Sequence, residues 1–148
     1  MFAEFFERLR GTRAEAPLPP LDARLAIGAL LVRLAKVDAH YAVEEIAEID
    51  AILAKAHDLN AVDAAKLRAT CEKIEAQAPD TDTFTALVQQ GVPYADRAGV
   101  YEALWNVGLA DRALKPEEQE MLAQVGAALG ITPGDATAAA ARHEKSIE

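Results

Sequence analysis

Asp38-Ala39-His40-Tyr41-Ala42-Val43-Glu44-Glu45 and Asp111-Arg112-Ala113-Leu114-Lys115-Pro116-Glu117-Glu118 are one pattern written twice. Each is an Asp, five intervening residues and a Glu pair, and the two begin 73 residues apart (111 − 38 = 73). At the same offset Arg24 matches Arg97, Leu31 matches Leu104 and Ala54 matches Ala127. Ile27/Val100, Leu34/Val107, Ile49/Leu122 and Ile52/Val125 are conservative pairs. Self-similarity at a fixed offset marks a supersecondary unit used more than once. Here the duplicated unit carries polar residues in its turn as well as the apolar period that any two helices share, so the turns are candidate sites.

Outward from these turns the chain reads as helices. Ile27, Leu31 and Leu34 mark one helical face between Leu21 and Val37, and a second helix starts near Val43 and turns Ile46, Ile49 and Leu53 inward. Asn60 with Asp63 has the form of a capped start for a third helix over Ala61 to Gln77. Pro79 to Thr83 punctuates, and a shorter helix runs on to Gly91. In the second copy Pro93 opens a helix carrying Val100, Leu104 and Val107, and Pro116 opens the next, with Leu122, Val125 and Leu129 inward and Gly130 at its end. Thr132 to Asp135 repeats the Asn60 to Asp63 arrangement. The reading predicts an all-α bundle of about seven to eight helices in two pseudo-symmetric three-helix halves, with the segment around Phe84 inserted between them.

Ahead of this body, Phe2, Phe5, Phe6 and Leu9 recur at helical spacing, and Gly11, Pro17, Pro19 and Pro20 follow as a stiff linker. Residues 1–20 are therefore expected to be a short amphipathic helix and linker, and 21–148 the helical domain. Four large apolar side chains on one face form a patch that soluble monomers usually cover. The expectation is contact with the body or a homodimer through this helix, with peripheral membrane contact less favoured because cationic residues are few.

The formal charge of −9 argues against a nucleic-acid partner, which needs clustered Lys and Arg. It suits a soluble protein that binds cations, basic partners or nothing in particular. One cysteine, Cys71, excludes an intrachain disulfide. No transmembrane segment and no signal peptide are read from the apolar runs, so the expected location is cytoplasmic.

Asp38 and Asp111 fall at helix C-termini, where the helix dipole favours cations, whereas Glu44, Glu45, Glu117 and Glu118 sit in first turns, where negative charge is favourable. Two accounts compete. In one, the acids cap free N–H groups of the turn and the next helix. In the other, clustered carboxylates hold a hard divalent cation, Ca²⁺ or Mg²⁺. The turn is not an EF-hand, since it lacks the alternating ligands and central Gly. The first turn is expected to be the stronger cation site, because Arg112 and Lys115 offset the second. His40 has Ala113 as its counterpart, and His57 and His143 stand apart. No Ser/His/Asp, Cys/His, phosphate-loop or di-iron arrangement is evident, and no catalytic residue is assigned.

From Ala29-Leu30-Leu31-Val32-Arg33-Leu34-Ala35-Lys36-Val37-Asp38 into Glu44-Glu45, and from Glu102-Ala103-Leu104-Trp105 through Asp111 to Pro116-Glu117-Glu118 and Leu129-Gly130-Ile131, the chain resembles the TerB-like family of bacterial tellurite resistance proteins. The resemblance spans roughly Leu21 to Arg142. It implies two related helical halves and suspected metal ligands at Asp38, Glu44 or Glu45, Asp111, and Glu117 or Glu118. The family's Asp is usually followed by Gly, where this chain has Ala39 and Arg112. The functional expectation is a non-catalytic binding or scaffold module of a stress- or tellurite-resistance-related system. The alternatives are a hydrolytic enzyme using a carboxylate-bound metal and a structural protein whose acids cap helices.

Overall fold

The computed structural model describes residues 18–78 and 80–145, so the expected N-terminal helix and most of its linker lie outside the described residues. Among the described residues there are seven helices and no strand: α1 (Ala23–Lys36), α2 (Val43–His57), α3 (Ala61–Gln77), α4 (Thr81–Gly91), α5 (Tyr94–Gly108), α6 (Pro116–Ala128) and α7 (Pro133–Lys145).

The helix starts follow their local chemistry. Asp22 accepts from Leu25 N at 2.9 Å, Asn60 from Asp63 N at 2.8 Å and Thr132 from Asp135 N at 3.1 Å, each satisfying an N–H group with no intrahelical partner. α2 and α6 start on Ala42 and Lys115, which offer no capping oxygen. Their glutamates supply the cap from three residues inside the helix. The ends repeat as well: the residue after α2, Asp58, has φ 53°, and Gly130, 72 positions later, has φ 77° beyond α6.

α1 is the central element, packed against α2, α3, α4, α5 and α6. Leu30, Leu31, Val32 and Leu34 are wholly buried, so this helix is apolar nearly all round, as a core helix must be. Contacts between the copies are reciprocal, with α1 touching α5 and α6 while α5 touches α1 and α2. Ile49, Val100, Leu104, Val107, Leu122, Val125 and Leu129 are buried as expected, whereas Ile27 and Ile52 are only half-buried at the margin. The α1–α3 approach depends on Gly28, where a Cβ would stand 2.3 Å from Cys71 Sγ. Burial pushes that thiol up to about 11, consistent with a packing role and not a nucleophilic one.

Arg33 is the polar exception on α1. Its guanidinium donates to Glu75 Oε2 at 3.0 Å, to Thr81 Oγ1 at 3.1 Å and to the carbonyls of Glu75 and Ala78, and it stands over the Phe84 ring. It ties the end of α3 and the start of α4 to the core. No helix among the described residues is long and apolar enough to cross a membrane.

Candidate functional site: the junction of two acidic turns

Each turn solves the problem of an Asp at a helix C-terminus in the same way. Asp38 Oδ1 accepts from His40 N at 3.0 Å, and Asp111 Oδ1 accepts from Ala113 N at 3.1 Å. This closes an Asx turn, and the residue inside it is forced into the left-handed region, with Ala39 at φ 68° and Arg112 at φ 64°. The glycine usual in the family at this position suits that conformation.

The next helix begins on the second acid of each Glu pair. Glu45 Oε1 accepts from Ala42 N at 3.0 Å, and Glu118 Oε1 accepts from Lys115 N at 2.9 Å. Both glutamates are almost fully buried, at 1 % and 0 % exposure, although charged residues seldom are unless paired. Glu44 and Glu117 are exposed and make no ion pair among the described residues.

The two turns are not separate sites. Lys115 Nζ, from the second turn, lies 3.0 Å from Asp111 Oδ2 in its own turn and 2.9 Å from Asp38 Oδ2 in the other. The Asp38 side chain is 3 % exposed. Its burial raises the carboxyl pKa, but the Lys115 ammonium and the His40 N–H outweigh that and hold it below the ordinary value. The lysine expected to offset the second turn thus stands beside the first as well. Arg112 is exposed and takes no part in this pairing.

Behind the lysine, Glu45 and Glu118 interact directly. Burial pushes both carboxyls above the ordinary glutamate value, and Glu45 is raised further by the neighbouring Glu118 and Asp111 charges. As carboxylates, Glu45 Oε2 and Glu118 Oε2 are buried acceptors without a donor. One proton held on Glu45 and donated to Glu118 relieves both. Asp38 Oδ2 is also without a well-aligned donor, its contact with Lys115 being an ion pair. Asp38 Oδ2, Glu45 Oε2 and Glu118 Oε2 are thus buried oxygens without a hydrogen-bond donor. As they stand, no group of three or more His, Cys, Asp or Glu among the described residues is arranged to hold a metal ion.

The remaining sequence candidates lie elsewhere. His40 is exposed, and His143 stacks on Trp105 with centroids 5.4 Å apart. Trp105 and Tyr101 are both buried. Arg97 donates to the carbonyls of Leu129 and Val92 at 2.7 and 2.8 Å instead of to a carboxylate, while Arg24 stands 3.8 Å from Asp22. Composition and spacing had not pointed to the half-buried network in which Arg68 pairs with Asp50 at 2.6 Å and with Glu72 at 2.8 Å, and Tyr41 donates to Glu72 at 2.6 Å. It braces the first turn against α3.

Two helical hairpins whose acidic turns are joined through one lysine make this an all-α domain. The family model described as tellurite resistance protein TerB matches residues 24–141, and the chain belongs to that family. Comparison with curated proteins and with solved structures gave no match.

Proposed function

We propose that this protein is a non-catalytic binding module of a tellurite-resistance- or stress-related system, and that its acidic junction is the part that responds to a divalent cation. The observation that carries this reading is the Lys115 ammonium between Asp38 and Asp111, in front of two buried glutamates with unpartnered oxygens. A cation such as Ca²⁺ or Mg²⁺, both oxygen-seeking, would take over the role of the ammonium. Asp38, Asp111, Glu45 and Glu118 would hold it once Lys115 swings out. Glu44 and Glu117, being exposed, are left for water or a protein partner. Because Lys115 competes, its loss is expected to strengthen cation binding.

Thermal melting of chelator-treated protein with and without Ca²⁺, Mg²⁺, Mn²⁺ or Zn²⁺ tests this. Binding only to the folded state adds about 2.7 kcal/mol at a hundredfold excess over Kd. Lys115→Met should enlarge the increment and Asp38→Asn should remove it. Unchanged melting curves for wild type and Lys115→Met at millimolar cation would defeat the cation reading. The capping bonds from Ala42 N, Lys115 N, His40 N and Ala113 N favour the second reading, a structural junction that positions the hairpins for a protein partner.

A further inference from the structure

The two copies hold their third helix in different ways. α3 packs along both α1 and α2, whereas α7 packs on α5. The first copy has Ala29, Val32 and Cys71, each no more than 1 % exposed, where the second has Glu102, Trp105 and His143 (102 − 29 = 73, 105 − 32 = 73, 143 − 71 = 72). Gly28 lets Cys71 Sγ close against α1. α3 also gives Leu67 and Ile74 to the core, whereas the apolar side chains that α7 gives, among the described residues, are Ala136, Ala139 and Ala140. An apolar contact in one copy is thus matched by a polar one in the other.

His143 is the centre of that polar contact. Its Nδ1 lies 2.8 Å from the Ala139 carbonyl oxygen, and its Nε2 lies 3.2 Å from both Asn106 Oδ1 and Glu102 Oε2. A carbonyl and a carboxylate only accept, so the doubly protonated ring satisfies these partners at once. The ring also stacks on Trp105, 18° from parallel, and a cation is favoured over an indole face. Arg142, the cation beside it on α7, pairs with the other oxygen of Glu102. The charged neighbours of the ring, among the described residues, are therefore Glu102 on α5 and Arg142 on α7.

We propose that His143 is a pH-sensitive clasp, closing the C-terminal half of α7 on α5 as an imidazolium and releasing it as a neutral ring. Histidine is the side chain whose charge ordinarily changes within about pH 5–8. On losing its proton the ring keeps Nδ1–H for Ala139 and turns an Nε2 lone pair toward the Glu102 carboxylate, so attraction gives way to repulsion. The clasp is therefore shut in mild acid and opens as pH rises. What then remains is the alanines and the Arg142–Glu102 pair, which is weak because its arginine is 60 % exposed. Trp105 Nε1 is buried without an acceptor while the clasp is shut, so water reaching it on opening offsets part of the loss. The start of α7 stays in place, because Tyr94 donates to Asp135 Oδ2 at 2.5 Å and accepts from Thr132 N at 3.2 Å. The opening uncovers the Trp105 face of α5.

Trp105 is the chain's one tryptophan, so its emission reports this contact alone. In the full wild-type chain, acrylamide quenching of that emission is expected to rise several-fold between about pH 5 and pH 8, with a shift to the red. Amide exchange locates the change: protection of residues 139–143 should fall several-fold over the same interval relative to residues 67–71 of α3. His143→Gln should make quenching high and independent of pH. His143→Arg, which keeps a cation opposite Glu102, should hold it low throughout. Glu45→Gln, which removes the other proton exchanged in this range, should leave the step in place. Quenching that is flat in the wild type overturns the proposal. So does a step that survives in His143→Gln, and so does protection that falls equally in α3 and α7, which would mark loosening of the whole fold.

Discussion

Ala39 and Arg112 occupy the left-handed region at φ 68° and 64°, where an L side chain costs energy that glycine does not. Both sit inside Asx turns whose Asp bonds bind the chain into that shape. Ala39→Gly and Arg112→Gly should each stabilise the fold by about 0.5–1 kcal/mol, the relieved strain exceeding the added flexibility of the unfolded chain. Urea titration measures this, and a loss of stability would show that the turns carry no strain. The strain was only indirectly legible. Neither Ala nor Arg signals a left-handed backbone, and the hint lay in the glycine usual at these positions in the family. Asp38 and Asp111, by contrast, were conspicuous because their charge opposed the helix dipole, and the Asx bonds supply the reason they are tolerated.

At the scale of helices, most of the fold could be read from local chemistry. α3 spans Ala61–Gln77 because Asn60 caps it, and α4 stops at Gly91, both where the sequence placed them. The 3.6-residue period identified the buried faces of α1 and α5, since any other rotation would expose Leu31 and Leu104, both now at 0 % exposure. Leu104→Ala should therefore cost about 2–5 kcal/mol, transfer and cavity terms together. A denaturant midpoint close to wild type would place α5 in the wrong rotation. What local reading could not supply was contact between elements distant in sequence. The Lys115–Asp38 pair requires that α5 and α6 pack on α1, and Arg33 reaches Glu75 only after α3 lies along α1. Periodicity says which face is inward but not which partner covers it.

For the molecule as a whole, the buried glutamates set a pH dependence of definite sign. The folded state holds a proton on the Glu45–Glu118 pair that the unfolded chain releases near the ordinary value of 4.5, with Glu45 pushed up to about 8. Stability from this source is present in acid and is lost as pH rises between those values. Asp38 and Glu75 act oppositely: their lowered carboxyls add stability above the ordinary carboxylate range, and it is lost as pH falls through the folded values. Metal-free protein should thus be most stable in mildly acid solution and weaken from about pH 5 to about pH 8. Glu45→Gln, which keeps an acceptor for Ala42 N and supplies a donor for Glu118, should flatten that slope. Denaturant midpoints that rise across the interval in the wild type would refute the shared proton.

The reach of Lys115 also bears on the order in which the chain is made. Asp38 leaves the ribosome 77 residues ahead of the lysine that neutralises it (115 − 38 = 77). At about 5–20 residues per second, that gap lasts roughly 4–15 s. Over this interval the nascent first hairpin has Asp38 and Glu45 but not the cation or the second glutamate that accompany them in the finished protein. Burying them then would be costly, so the first hairpin is expected to stay open until the second is synthesised. The domain is then expected to behave as a single unit of synthesis, its leading half waiting for a charge encoded in its trailing half.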